Sequence, residues 1–177
     1  MGGLYGFSEL LLGLLKRAKN KSEVRDRGSL AVLWGVIFGS MLVANMVLYA
    51  FPDFRISNSW FPIGCAVFFC GLIIRWYAIL YLGRFFTVDV AIHSDHHVVD
   101  TGPYRFIRHP AYLGVLLAFL GLGLCMLNWV AGLFVIVPIT SAFMYRIQVE
   151  EMALNEALGA RYAAYTAKTK RLIPLVY

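Results

Sequence analysis

Residues 111–145 read Ala111-Tyr-Leu-Gly-Val-Leu-Leu-Ala-Phe-Leu-Gly-Leu-Gly-Leu-Cys-Met-Leu-Asn-Trp-Val-Ala-Gly-Leu-Phe-Val-Ile-Val-Pro-Ile-Thr-Ser-Ala-Phe-Met-Tyr145, without one charged side chain. At about 1.5 Å of rise per residue, a single helix of this length would greatly exceed a hydrocarbon core of about 30 Å. A tight hairpin of two minimal helices fits better, with its turn near Asn128-Trp129. Pro138 is expected to bend the second arm, because proline lacks an N–H and clashes with the preceding turn. Gly114, Gly121, Gly123 and Gly132 are expected to let the arms pack closely.

Two more uncharged stretches precede the hairpin. Residues 29–51 are long enough to span and end at Pro52, Asp53 and Arg55. Residues 60–83 form a second span, opened by Trp60 and Phe61 and closed by Trp76, Tyr77 and Tyr81, in the manner of interfacial aromatic belts. Arg75, in its last part, is expected to snorkel toward the headgroups rather than serve inside the membrane. The fold class is therefore an all-α, polytopic integral membrane protein with about four spans. Residues 4–15 are ambiguous between a fifth span and an interfacial segment, and the interfacial reading is preferred. Lys16 and Arg17 follow that segment instead of preceding it, which is the wrong polarity for a signal peptide. The tail over 147–165 reads as an amphipathic helix through Ile147, Leu154, Leu158, Tyr162 and Tyr165.

Composition agrees. Of 177 residues, 60% are hydrophobic and 15% charged, and the mean hydropathy is +0.69. A soluble domain is nearer 45–50% apolar. The net charge of +6 does not point to nucleic acid, because the basic residues flank apolar spans, where they meet anionic headgroups. Lys16, Arg17, Lys19, Lys21, Arg25 and Arg27 precede the first span; Arg84, Arg105 and Arg108 follow the second; Arg146, Arg161, Lys168, Lys170 and Arg171 follow the hairpin. Four spans place all three groups on one side, which the positive-inside rule makes cytosolic. Cys65, Cys70 and Cys125 lie inside apolar stretches and read as small packing residues.

Polar residues concentrate in two places. The loop over 83–110 holds all four histidines, His93, His96, His97 and His109. Gly102-Pro103 reads as a turn, and Pro110 suits the first turn of a helix whose N-terminal amides favour a carboxylate ligand. His93, Asp95, His96 and His97 match no zinc spacing, so solvated loop histidines are the simpler reading and no metal is assigned. The second place is Arg146 with Glu150 and Glu151. Arg146 and Glu150 are four apart and share a helix face. They are either a surface ion pair worth a few tenths of a kcal/mol or a partly desolvated pair, each gripping part of a ligand.

The run His96-His-Val-Val-Asp-Thr-Gly-Pro-Tyr-Arg-Phe-Ile-Arg-His-Pro-Ala-Tyr-Leu-Gly114, the apolar hairpin, and Glu150-Glu151 followed by Leu158-Gly159-Ala-Arg-Tyr162 resemble the isoprenylcysteine carboxyl methyltransferase family. The related phospholipid methyltransferases share the pattern. Several blocks agree in order and spacing over roughly residues 82–174, which is more specific than any single short motif. The resemblance implies one membrane-embedded methyltransferase domain over 1–177. Within it, residues 1–28 would be a cytosolic or interfacial segment and residues 84–177 the cofactor-binding and catalytic half. It further implies S-adenosylmethionine as cofactor, entering from the cytosol, and a lipophilic substrate entering from the bilayer. By position, His96, His97, Val98, Val99, Tyr104, His109, Pro110, Ala111 and Tyr112 would line the cofactor, Glu150 would bind its polar end, and Arg146 would face the substrate carboxylate. The family's upstream amide position falls near Asp89, a departure that leaves Asp89 outside the site.

Four functions compete for this pattern. A carboxylate acceptor needs no base at neutral pH, only positioning and removal from water, and Arg146 offers a fork of donors for one. A lipid amine or thiol acceptor would need a base, for which Glu150 or Glu151 would be candidates. A sterol-reductase-like oxidoreductase would use a nicotinamide cofactor. A scaffold or transporter would pair charges inside the spans, whereas here the polar groups gather at one interface.

Overall fold

A computed structural model describes residues 2–15, 28–86, 88 and 98–173. In chain order the helices are α1 (Gly2–Leu15), α2 (Ser29–Ala50), α3 (Trp60–Leu82), α4 (Pro110–Cys125), α5 (Trp129–Leu158) and α6 (Ala160–Thr166), with short 3-10 turns at Pro52–Phe54, Gly83–Phe85 and Gly102–Arg105. Among the described residues the only β-type pairings are isolated bridges at Arg55–Asn128 and Ile107–Lys170. Helices α2, α3 and α5 are each long and apolar enough to cross a membrane, and α4 is a shorter apolar helix. Phe38, Tyr49, Ile73 and Leu80 stand exposed along these helices. Large apolar side chains displayed outward in this way mark a surface solvated by lipid. The protein is an integral, multi-pass membrane protein.

Two helix pairs make the body, α3 with α4 and α2 with α5, and α4 joins them by packing on α5. The α3–α4 seam is a glycine seam. A Cβ placed on Gly114 would stand 2.5 Å from the Arg75 amide nitrogen, and one on Gly121 would stand 2.6 Å from the Gly64 carbonyl oxygen. Gly114 and Gly121, expected to serve the hairpin arms, thus serve α3, because Gly64 and Gly71 repeat at the same seven-residue spacing. Only Gly123 and Gly132 close the hairpin itself, where a Cβ on Gly123 would lie 3.3 Å from the Gly132 Cα.

The hairpin turns where the uncharged run predicts. Asn128 is fully buried. Its side chain accepts from the Ala131 amide at 3.0 Å, capping α5, and donates to the Phe51 carbonyl at 2.9 Å. Helix α5 then runs through Pro138 to Leu158. The tail helix expected over 147–165 is the last turns of α5 followed by α6. No breaker stands between Tyr145 and Ile147, and the chain turns only at Gly159, whose φ of 53° suits glycine.

Arg75 does not snorkel. It is 6% exposed and donates to Glu9 Oε2 at 2.9 Å, with Glu9 Oε1 at 2.7 Å. The partner comes from α1, which docks on the bundle instead of lying apart from it. Beside that pair, Trp76 Nε1 donates to Ser8 Oγ at 2.9 Å. Tyr5 meets Phe119 edge to face at 4.8 Å.

Candidate active site

The first turn of α4 and the charged end of α5 meet where the apolar run of α5 stops. Pro110 opens α4 with its fixed φ, and the Tyr112 and Leu113 amides turn back to the His109 carbonyl at 3.1 and 3.0 Å. This places His109 at the helix entrance, 5% exposed, with its ring stacked on Tyr112 at 5.5 Å. His109 Nδ1 stands 4.0 Å from Glu150 Oε2, and Nε2 lies 3.2 Å from Glu151 Oε1. Tyr112 is within electrostatic reach of both Glu150 and Arg146. Arg146 is 3% exposed, donating to Ser29 Oγ at 2.9 Å and to the Val88 carbonyl. Glu150 Oε2 is buried and has no hydrogen-bond partner. His109, Pro110, Ala111, Tyr112, Arg146 and Glu150 are therefore brought to one place. Val98 and Val99 are half-buried, and Val99 packs with Tyr104 and Ala111. Tyr104 commits its hydroxyl to the Ala78 carbonyl at 3.2 Å, so only its ring is free to line a ligand. Burial pushes that phenol well above its ordinary range, which keeps it a donor. His96 and His97, like His93, Asp89 and Asp95, lie outside the described residues.

Glu151 is a hub. Arg108 Nε donates to Oε1 at 2.8 Å and Arg171 Nε to Oε2 at 2.9 Å. Burial opposes its ionisation, but the hydrogen bonds from His109 and Arg108 prevail and hold the carboxyl at about 2. Backbone bonds from Arg108 to the Lys170 carbonyl (2.8 Å) and from His109 to the Arg171 carbonyl (3.0 Å) fasten the tail beside the α4 entrance. Arg108 reaches the Thr169 carbonyl as well.

Two hollows flank this arrangement. A cavity of about 30 Å³ is lined by residues including Glu9, Trp34, Arg75, Tyr112, Phe143 and Arg146. An open groove of about 680 Å³ lies against Gln148, Glu151, Met152 and Asn155, on the opposite face of α5 by helical spacing. Its charges, Arg108, Glu151 and Arg171, already compensate one another. The smaller hollow is the one that meets Arg146 and Tyr112.

The family model for isoprenylcysteine carboxyl methyltransferases matches residues 63–156, from α3 through Arg146, Glu150 and Glu151 of α5.

The chain belongs to the isoprenylcysteine carboxyl methyltransferase family.

Within it, the chain is similar to protein-S-isoprenylcysteine O-methyltransferase A of Arabidopsis thaliana. The two are 35% identical over 115 residues, covering 64% of this chain and 58% of the relative. It is 32% identical over 136 residues to the protein-S-isoprenylcysteine O-methyltransferase of Saccharomyces cerevisiae, covering 72% and 57%. A solved eukaryotic intramembrane Ras methyltransferase, an isoprenylcysteine carboxyl methyltransferase, superposes with a TM-score of 0.63 at 27% identity, over 80% of this chain and 51% of that one. The chain thus spans little more than half the length of these members of the isoprenylcysteine carboxyl methyltransferase family. Sequence reading missed three contributors to the site. Ser29 looks like a span boundary until Arg146 is seen on it. Arg171 looks like a generic basic tail until it meets Glu151. Glu9 is a lone acid in a short apolar helix. Only Glu9 carried a signal, since a carboxylate in such a helix requires a partner.

Proposed function

We propose that this protein transfers a methyl group from S-adenosylmethionine to the carboxylate of an isoprenylcysteine-like lipophilic substrate, with its reactive face on the cytosolic side. The observation that carries the reading is Glu150. One of its carboxylate oxygens is buried without a donor, one helical turn from a buried Arg146. A buried carboxylate oxygen that makes no hydrogen bond, its His109 neighbour standing 4.0 Å off, is costly and favours a cation or donor. The ammonium of an amino-acid-like cofactor is such a group, so the residues fit S-adenosylmethionine. Bound there, that cofactor supplies a sulfonium methyl open to in-line attack.

The chain supplies position and dryness. Glu150 would hold the polar end of the cofactor. The rings of Tyr104, His109 and Tyr112, the Pro110-Ala111 turn and Val98-Val99 would wrap it, with His96 and His97 completing the wall. Arg146 would orient the acceptor carboxylate through its planar fork. Trp34, Phe143 and Leu33 around the cavity keep water away from an already ionised nucleophile. The basic residues flanking the spans support a cytosolic face, and the lipid-facing helices support a substrate delivered through the bilayer.

A lipid amine or thiol acceptor would need a base. Glu151, held at about 2 by its hydrogen bonds from His109 and Arg108, is a poor one. This observation favours a carboxylate.

Calorimetric titration of the purified protein in detergent with S-adenosylmethionine, and separately with NADPH, tests the cofactor. Transfer of labelled methyl to an S-farnesylated N-acetylcysteine tests the acceptor. Binding of the first ligand only, and a base-labile methyl ester as product, are expected. Binding of NADPH alone would move the protein to a reductase class, and a labelled lipid amine as the product would replace the acceptor.

A further inference from the structure

Arg75 and Glu9 form an ion pair that the proposed chemistry does not use. Both are more than nine-tenths buried. The pair is incompletely satisfied: both Glu9 oxygens lie on Arg75 Nη2, at 2.7 and 2.9 Å, while the buried Arg75 Nε has no hydrogen-bond partner. A buried pair that only holds helices together should also saturate that remaining donor, since a buried N–H without an acceptor incurs a desolvation cost. This pair also lines the cavity of about 30 Å³ that Tyr112 and Arg146 line. That volume admits a water or two, or a small polar group. Arg75 reaches the first turn of α4 as well, with Nη1 3.4 Å from the Ala111 carbonyl. Two guanidinium groups therefore border one small hollow at the head of α4, and Glu9 is the carboxylate on α1 that borders it with them.

We propose that Arg75 is a second carboxylate-binding residue, forming with Arg146 the seat for the acceptor's anionic group, and that Glu9 is an internal carboxylate holding that seat until the acceptor displaces it. The proposal rests on the carboxyl-methyltransferase reading and adds to it a specificity device. An unpaired buried guanidinium would be costly in the empty site, and Glu9 supplies the charge that substrate later brings. Displacement needs somewhere for Glu9 to go. Helix α1 has 14 residues, too few to cross a core that takes about 20, so hydrated headgroups are within its reach. The device selects acids, because a neutral or cationic headgroup cannot exchange with a carboxylate on Arg75.

The test compares wild type, E9Q, R75Q and E9Q/R75Q in lipid nanodiscs. S-farnesylated N-acetylcysteine and its carboxamide serve as probes. Acceptor binding without cofactor is read by tryptophan fluorescence, since Trp34 lines the cavity and Trp76 adjoins Arg75; KM and kcat are read with cofactor, and S-adenosylmethionine affinity by calorimetry. E9Q removes the competitor and is expected to lower both the acceptor Kd and KM by about threefold or more. R75Q is expected to raise them by about tenfold or more, with cofactor affinity unchanged and carboxamide binding unmoved. The double variant should bind the acid as weakly as R75Q. If R75Q does not fold, E9Q and the double variant decide.

A purely structural pair makes the opposite forecast: E9Q impairs the protein, and the neutral amide pair of the double variant restores it to wild type. That outcome, or an unchanged KM in E9Q, overturns the inference while wild-type turnover leaves the methyltransferase reading standing. Absence of turnover of any acid by wild type overturns both.

Discussion

Gly71 and Gly114 face each other across the α3–α4 seam so closely that a Cβ on Gly71 would stand 2.5 Å from the Gly114 carbonyl oxygen. The atoms it would strike are backbone, so no side-chain rotation relieves the clash. This contact sets the height at which α4 enters the bundle and thereby the position of His109, Pro110 and Tyr112. Gly71→Ala and Gly114→Ala are each expected to lower stability by about 1–3 kcal/mol through overpacking. Thermal unfolding in detergent should show it, with cofactor affinity falling alongside. Gly35→Ala on α2, where a Cβ meets nothing within 4 Å, is the control and should be neutral or stabilising.

Glu150→Gln keeps the shape of the side chain and removes its charge. Charge-assisted hydrogen bonds contribute about 1.5–3 kcal/mol, so S-adenosylmethionine affinity should fall roughly 10- to 100-fold. Helix content by circular dichroism should stay constant. Unchanged affinity would show that the buried Oε2 serves something other than the cofactor.

Arg146→Lys retains the charge but loses the fork. Because the site calls for orientation, turnover of the carboxylate acceptor should drop by about tenfold or more. Steady-state kinetics with saturating cofactor checks this. An undiminished rate would remove Arg146 from the acceptor site.

Glu151 gives the fold a pH dependence. Its folded value, about 2, lies below the unfolded value of about 4.3. The folded state therefore binds fewer protons, and the Glu151 contribution is fully present above about pH 5 and lost as pH falls toward 2. Melting temperature should be flat from pH 7 to 5 and fall below that. In Glu151→Gln the acid limb of the curve should flatten, while the plateau drops because Arg108, His109 and Arg171 lose their shared acceptor. An unaltered acid limb would show that other carboxylates govern it.

At the other end of the bundle, Asn128→Ala removes both the α5 cap and the donor to Phe51. The cap alone contributes about 1 kcal/mol, and an unpaired buried carbonyl costs about 1–3 kcal/mol more. Stability should fall while cofactor affinity in the folded fraction holds, because the α4 entrance and the charged end of α5 lie one full span away.

The spans and the hairpin turn were legible because charge is absent over a membrane's length and returns at the ends. Asn128 was legible as a turn for the same reason. What was not legible depends on partners distant in the chain. Glycines in α4 announce a close approach without naming the neighbour, and the matching glycines of α3 decide it. Arg75 looks like a snorkelling residue until Glu9, 66 positions away, is brought to it by α1. The clustering of Arg146 and Glu150 with the His109 turn was readable from spacing and family likeness. Tyr104 packs with Ala111 beside that turn, but no pattern could tell that its hydroxyl belongs to the α3 backbone. The helix end at Gly159 was obscured because the apolar periodicity continues past it.

The turn at Gly159 has a consequence for assembly. It folds the tail back so that the backbone at 169–171 receives Arg108 and His109. During synthesis the apolar helices can enter the bilayer well before those residues exist. The loop that carries His109 then waits, unlatched, for a segment made about sixty positions later. The site is thus closed by the last part of the described chain to be made, and an interrupted copy would sit in the membrane with its spans in place and its His109 turn unfastened.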